Sequence, residues 1–179
     1  MAIIIVLIIG VILYFIIKRS KSDSSKADVQ DHWLHYFENL QFSAQDFYKA
    51  VQDSLTNHEI PDISFDRKKL SQGGLLSANR EYLYVSRKEF AFYVCAAQFG
   101  KDFFVSYWFV LKEGGIGSKL MDRVPILKQM KDARSFYQID SVSMFRESVH
   151  GSVVEVIDNI TKGKGVRGLT ELERSPVKK

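Results

Sequence analysis

EYLYVSRKEFAFYVCAAQFGKDFFVSYWFVL, residues 81–111, decides the fold. It holds three runs rich in aromatic and β-branched residues, 81–87, 90–97 and 103–111, divided by Lys88-Glu89 and by Phe99-Gly100-Lys101-Asp102. Such residues suit a pleated, half-buried surface, and connections this short join only antiparallel neighbours, so the stretch predicts a three-stranded meander. Strand parity then sorts the side chains. If Lys88-Glu89 is a two-residue turn, Val85 lies opposite Phe92 and Leu83 opposite Val94. A four-residue turn at 99–102 places Val94 opposite Tyr107 and Phe92 opposite Phe109. One face becomes apolar and should receive the helices. The other collects Tyr82, Tyr84, Tyr93, Cys95, Phe104 and Trp108, rings whose polar tips suit a surface that is half wet or covered by a partner. A second layer of the chain's own helices is the competing cover for this face. Tyr82, Tyr84, Tyr93 and Trp108 are the expected partner-binding residues. One residue of slippage in either turn would exchange the faces.

Upstream, Ile63 and Phe65 alternate with Asp62, Ser64 and Asp66, giving a fourth strand that ends in Arg67-Lys68-Lys69 and the Gly73-Gly74 turn. Before it, Ser43 with Asp46 three residues on caps a helix that carries Phe47, Val51 and Leu55 on one side and stops before Pro61. Val29, Trp33, Phe37 and Leu40 recur every three or four residues, which predicts an amphipathic helix ahead of that one. On such a helix His32, His35 and Glu38 would share one side. The spacing is not the H-E-x-x-H of zinc proteases, and Trp33 and Phe37 place the imidazoles at the border of a packed face, so no metal is assigned. An interfacial position near lipid headgroups is the better special role for these rings.

Downstream, Ser118 can cap a helical stretch with Leu120, Met121 and Val124, and Pro125 would open a second turn or kink the first. Residues 136–139 read as a short extended piece that would add a fifth, edge strand. Asp140 or Ser141 should cap the longest soluble helix, with Val142, Phe145, Val149, Val153, Val156 and Ile160 on one face and Glu147, His150 and Asp158 on a solvated one. Gly163, Gly165 and Gly168 formally spell G-x-G-x-x-G. A dinucleotide site needs these glycines between a strand and a helix N-terminus, whereas here they follow a helix, so they are read as a helix stop. Thr170 with Glu173 caps a last small helix, broken by Pro176.

At the other end lies AIIIVLIIGVILYFII, residues 2–17, uncharged and followed at once by Lys18, Arg19 and Lys21. With Met1 it would extend about 25 Å as a helix, short but within the range for crossing a hydrocarbon core. The cations come after the apolar run and no small-x-small site follows, which argues against a cleaved signal peptide. By the positive-inside rule the N-terminus faces out and the rest faces the cytoplasm. The expected organisation is a transmembrane anchor (1–17), a polar juxtamembrane linker (18–27), a cytoplasmic α+β domain (28–161) and a flexible basic tail (162–179). The domain is expected to hold a mainly antiparallel four-stranded sheet, with the fifth edge strand from 136–139, flanked by helices.

The net charge of +4 is carried outside the apolar segment, with acidic and basic residues interspersed, which argues against a dedicated nucleic-acid binder. Cys95 is the only cysteine, so neither a disulfide framework nor a C-x-x-C zinc pattern exists. As a nucleophile Cys95 would need His58 or His150 within hydrogen-bond reach, and its place in an apolar strand makes it a small core residue instead. No catalytic constellation, metal set or cofactor motif can be defended. The expected function is a membrane-anchored, non-catalytic interaction or structural subunit, held by lipid through its N-terminal helix and binding a protein partner or a second copy. The alternative is an anionic-lipid or nucleic-acid binding domain working through Lys18, Arg19, Lys21, Arg67, Lys68, Lys69 and the basic tail, each cation near an anionic surface contributing about 1 kcal/mol.

Overall fold

A computed structural model describes residues 28–71, 79–112 and 135–178. The anchor expected over 1–17, the linker with Lys18, Arg19 and Lys21, and the helix expected after Ser118 lie outside the described residues. Among the described residues no helix is long and apolar enough to cross a membrane. In chain order the elements are β1 (Asp28–Phe37), α1 (Ala44–Asn57), β2 (Ser64–Ser71), β3 (Asn79–Arg87), β4 (Phe90–Phe99), β5 (Asp102–Leu111), α2 (Phe136–Lys164), α3 (Glu171–Arg174) and β6 (Val177–Lys178). The fold is α+β. Its sheet runs β2-β3-β4-β5-β1-β6, and every neighbouring pair is antiparallel.

The meander has the register that parity predicts. Val85 faces Phe92, Leu83 faces Val94, Val94 faces Tyr107 and Phe92 faces Phe109. The second turn is tighter than expected: Phe99 pairs with Asp102, leaving Gly100 and Lys101 as the loop. Gly100 sits at φ 64, the left-handed conformation that a two-residue hairpin of this kind demands at its first central position. Shortening a turn by two residues leaves parity intact, which is why the faces come out as predicted.

The helix expected from Val29 to Leu40 is a strand. β1 pairs with β5 from Asp28↔Leu111 to Phe37↔Phe103, with a bulge between Val29 and Asp31. Trp33 and Phe37 are four apart, a spacing that satisfies a helical face and strand alternation equally well. Here Asp31, Trp33, His35 and Phe37 point to the helix side, and His32, Leu34 and Tyr36 to the other. His32 and His35 therefore diverge, and the shared side imagined for His32, His35 and Glu38 does not exist. Trp33 is core, 2 % exposed, and not at a lipid-facing border. β1, and not residues 136–139, is the fifth long strand.

Both long helices pack on one face of the sheet. Ser43 caps α1, its side chain accepting from the Asp46 amide, and Phe47, Val51 and Leu55 are buried as expected. α2 begins earlier than expected: Ser135, not Asp140 or Ser141, is its cap, and Gln138 completes a capping box. Residues 136–139 are accordingly its first turn and not a strand. Phe145 stands edge-on to Phe92 and Phe109, with ring centroids 5.5 and 6.5 Å apart, and Val149 and Val153 are fully buried. Gly165, at φ 65, ends α2 in the left-handed C-cap conformation, the helix stop read from the sequence.

The residues beyond, expected as a flexible tail, pack back on the domain. Leu169 is buried, Thr170 and Glu173 form the expected capping box, and β6 pairs with Asp31 and His32 of β1.

Candidate interaction face

Strand pairing lines up one residue from each long strand in a row across the sheet. Asp66 pairs with Tyr84, Tyr84 with Tyr93, Tyr93 with Trp108, and Trp108 with His32. All five point away from the two long helices. Tyr84 and Tyr93 meet at 5.0 Å between ring centroids, and His32 stacks on Trp108 at 5.1 Å with 13° between planes. Tyr82 adds an edge contact to Tyr93 at 6.3 Å. The structure thus brings Tyr82, Tyr84, Tyr93 and Trp108 together on one surface. Leu34 and Tyr36 extend it, each more than half exposed, and neither follows from a helical reading of this segment. Trp108 is 39 % exposed, while the three tyrosines are half-buried. Small residues between the rings, Ala91, Cys95 and Ser106, are buried. Among the described residues no helix covers this face.

Among the described residues the long strands of this face carry Asp66, Lys68 and Arg80, a small positive excess rather than a basic surface. Lys68 lies over the Tyr84 ring at 4.4 Å, whereas its neighbour Arg67 turns to the helix side and lies over Tyr48 at 4.6 Å. Alternation along β2 therefore splits Arg67, Lys68 and Lys69 between two faces, so the run forms no single basic surface. Burial raises the phenol pKa of Tyr82 and Tyr84, which keeps both neutral. Burial also pushes the Cys95 thiol up. Cys95 is 1 % exposed and points away from α2, while His58 meets Ser152 of α2 and His150 contacts the sheet from the helix side through Tyr107, so neither imidazole pairs with the thiol.

At one end of the face β3 and β4 part. Their pairing stops at Leu83↔Val94, and the Tyr48 hydroxyl from α1 enters the gap. It accepts from the Ala96 amide at 2.9 Å and lies 2.8 Å from the Glu81 carbonyl, to which it donates. The crevice above, about 530 Å³, is lined by Gln45, Tyr48, Arg80, Glu81, Tyr82 and Ala97 among others.

A polar cluster lies on the helix side of β1. Nε1 of Trp33 donates to the Glu173 carbonyl at 2.7 Å, and Tyr107 and His150 share a 3.0 Å hydrogen bond. Asp31 is 2 % exposed, neither carboxylate oxygen has a hydrogen-bond partner of good geometry among the described residues, and Arg146 Nε stands 3.7 Å away. Burial raises the Asp31 pKa against the pull of Arg146. His150 was expected on a solvated face and is instead half-buried against the sheet.

The two sheet edges differ from the face. β2 presents Arg67, Lys68 and Lys69, charges that discourage strand addition, and β6 with α3 occupies part of the outer edge of β1. Comparison with family models, with curated proteins and with solved structures finds no match to this chain.

Proposed function

We propose that this chain is a membrane-anchored, non-catalytic interaction subunit whose cytoplasmic domain binds a protein partner through the uncovered sheet face. The observation that carries the reading is the aromatic row Tyr84, Tyr93, Trp108 and His32, which no helix among the described residues covers, on a sheet whose other face receives both long helices. Tyrosine and tryptophan dominate binding energy where they sit together at the centre of an interface. Two cations, Lys68 and Arg80, beside Asp66 are few for nucleic acid, which needs phosphate-neutralising charge along its length, and favour a protein partner. Anchoring rests on the apolar segment 2–17 and on Lys18, Arg19 and Lys21 after it, which set the domain in the cytoplasm.

The test is affinity purification of the full-length chain from detergent. A stoichiometric companion should be lost on Tyr84→Ala or Trp108→Ala while the melting temperature of the domain stays nearly constant. Retention of the companion together with a large loss of stability would show these rings to be core. Topology is read separately: a reporter active only in the cytoplasm, fused after Lys179, should be active.

A further inference from the structure

Four large apolar side chains stand in the open at the start of α2: Phe136 is 87 % exposed, Tyr137 74 %, Met144 70 % and Ile139 47 %. Scattered exposed apolar residues are ordinary, but a cluster of this size within three turns of one helix marks a contact surface. Its position in the fold is informative. Tyr137 borders a crevice with Lys88, Glu89 and Phe90 at the β3–β4 turn, and Arg87 Nη1 donates to the Ser141 carbonyl at 3.4 Å. Phe90 pairs with Leu111, Leu111 pairs with Asp28, and the Lys112 amide donates to the Glu89 carbonyl at 2.7 Å. The exposed cluster and the first residue of β1 therefore share one pole of the domain.

Asp28 is also where the ten-residue linker 18–27 joins the domain. Ten residues reach at most about 35 Å when fully extended, and in an anchored chain this pole is the one tied directly to the membrane segment. Resting on the anchored reading above, we propose that Phe136, Tyr137, Ile139 and Met144 bed into the interfacial zone of the bilayer that holds the N-terminal segment. Aromatic rings with a polar tip favour that depth, and Arg87, Lys88 and Lys112 at the same pole suit the phosphates above it. The contact need not be strong by itself. A short tether supplies an effective concentration in the millimolar range, so an interaction too weak to recruit a free domain still holds a tethered one. The strands then run away from the bilayer, and the aromatic row stays reachable from the side for a protein partner.

The test uses the full chain reconstituted in phosphatidylcholine vesicles whose acyl chains are brominated near the headgroup. Tyr137→Trp, placed in a Trp108→Phe background, should lose emission roughly two-fold, as a ring at headgroup depth does, with the buried Trp33 as the unquenched internal reference. Adding Phe136→Ser and Met144→Ser should restore the emission. The residues changed are exposed, so the fold should survive, and circular dichroism checks it. A chain that resists alkaline washing, yet whose Tyr137→Trp ring is unquenched and open to acrylamide, overturns this proposal and leaves the anchor standing. Shielding from acrylamide without quenching by the brominated lipid means that protein covers the pole, and overturns it too. A chain washed out of the vesicles overturns the anchor and the proposal together.

Discussion

The hydroxyl of Tyr107 and Nδ1 of His150 stand 3.0 Å apart across the seam between β5 and α2. The Arg174 backbone also lies beside the imidazole, so one ring stands where the sheet, the long helix and the C-terminal segment meet. Burial lowers its pKa, overcoming the opposite pulls of Glu147 and Asp31.

A pH dependence follows from the sign of that shift. In the folded domain His150 stays neutral at a pH where the unfolded chain takes up a proton, so its contribution is complete above about pH 6.5 and is lost as pH falls toward the folded pKa. His35, also lowered mainly by burial, adds to the loss, whereas Asp31, with its raised pKa, acts in the opposite direction. The melting temperature should therefore fall between pH 7 and pH 5, and His150→Gln should flatten that slope. A variant whose slope matches the parent would place the proton elsewhere.

Tyr48→Phe should be costly although it removes one oxygen. The hydroxyl stands in for the β3–β4 ladder by serving the Ala96 amide and the Glu81 carbonyl, and without it those buried groups lose their partner. The expected loss is about 1–3 kcal/mol, measured by urea unfolding. Ring removal is not at issue in this variant, so a neutral result would mean that water replaces the hydroxyl.

Val153→Asp and Glu147→Ala separate the two sides of α2. Val153 is fully buried, and a carboxylate there has no partner, so several kcal/mol should be lost, comparable to the whole stability of a small domain. Glu147 is exposed and its ion pair with Arg146 lies at the surface, so its removal should stay within about 0.5 kcal/mol. Equal thermal shifts for the two would contradict the assignment of the buried face.

How far the sequence reveals this fold depends on which periodicity each segment carries. Val85, Phe92 and Phe109 lie in runs with short turns on both sides, and an error of two residues in the second turn was harmless because parity survives even steps. Trp33 and Phe37 misled, because a spacing of four is common to helix and strand. The signal available was the alternation Trp33, His35, Phe37 against His32, Leu34, Tyr36, with a bulge displacing Val29. Residues 136–139 misled for another reason: Phe136, Tyr137 and Ile139 favour strands locally, but Ser135 and Gln138 close a capping box that starts a helix. Of the candidate interaction face, the shared side of Tyr82, Tyr84, Tyr93 and Trp108 is legible from parity alone. Leu34, Tyr36 and the His32 stack are not, since they depend on which strand lies beside β5.

The last prediction concerns the C-terminal segment. Trp33 donates to the Glu173 carbonyl, Arg174 makes a two-bond contact with Asp158, and Leu169 is buried, so residues 166–178 hold β1 from its outer side. The Arg167 guanidinium, with help from the Thr170 amide and hydroxyl, holds the Glu173 carboxyl down to about 2. Its share of the stability is therefore present above the ordinary carboxylate pKa near 4.5 and vanishes as pH falls toward 2. Ending the chain at Gly165 removes the buried Leu169 and the Trp33 hydrogen bond, at a cost of about 2–4 kcal/mol. The same deletion uncovers the indole of Trp33, so in a Trp108→Phe background its emission should shift to the red and become open to acrylamide. An unchanged spectrum with an unchanged melting temperature would mean that the segment rests on the domain without holding it.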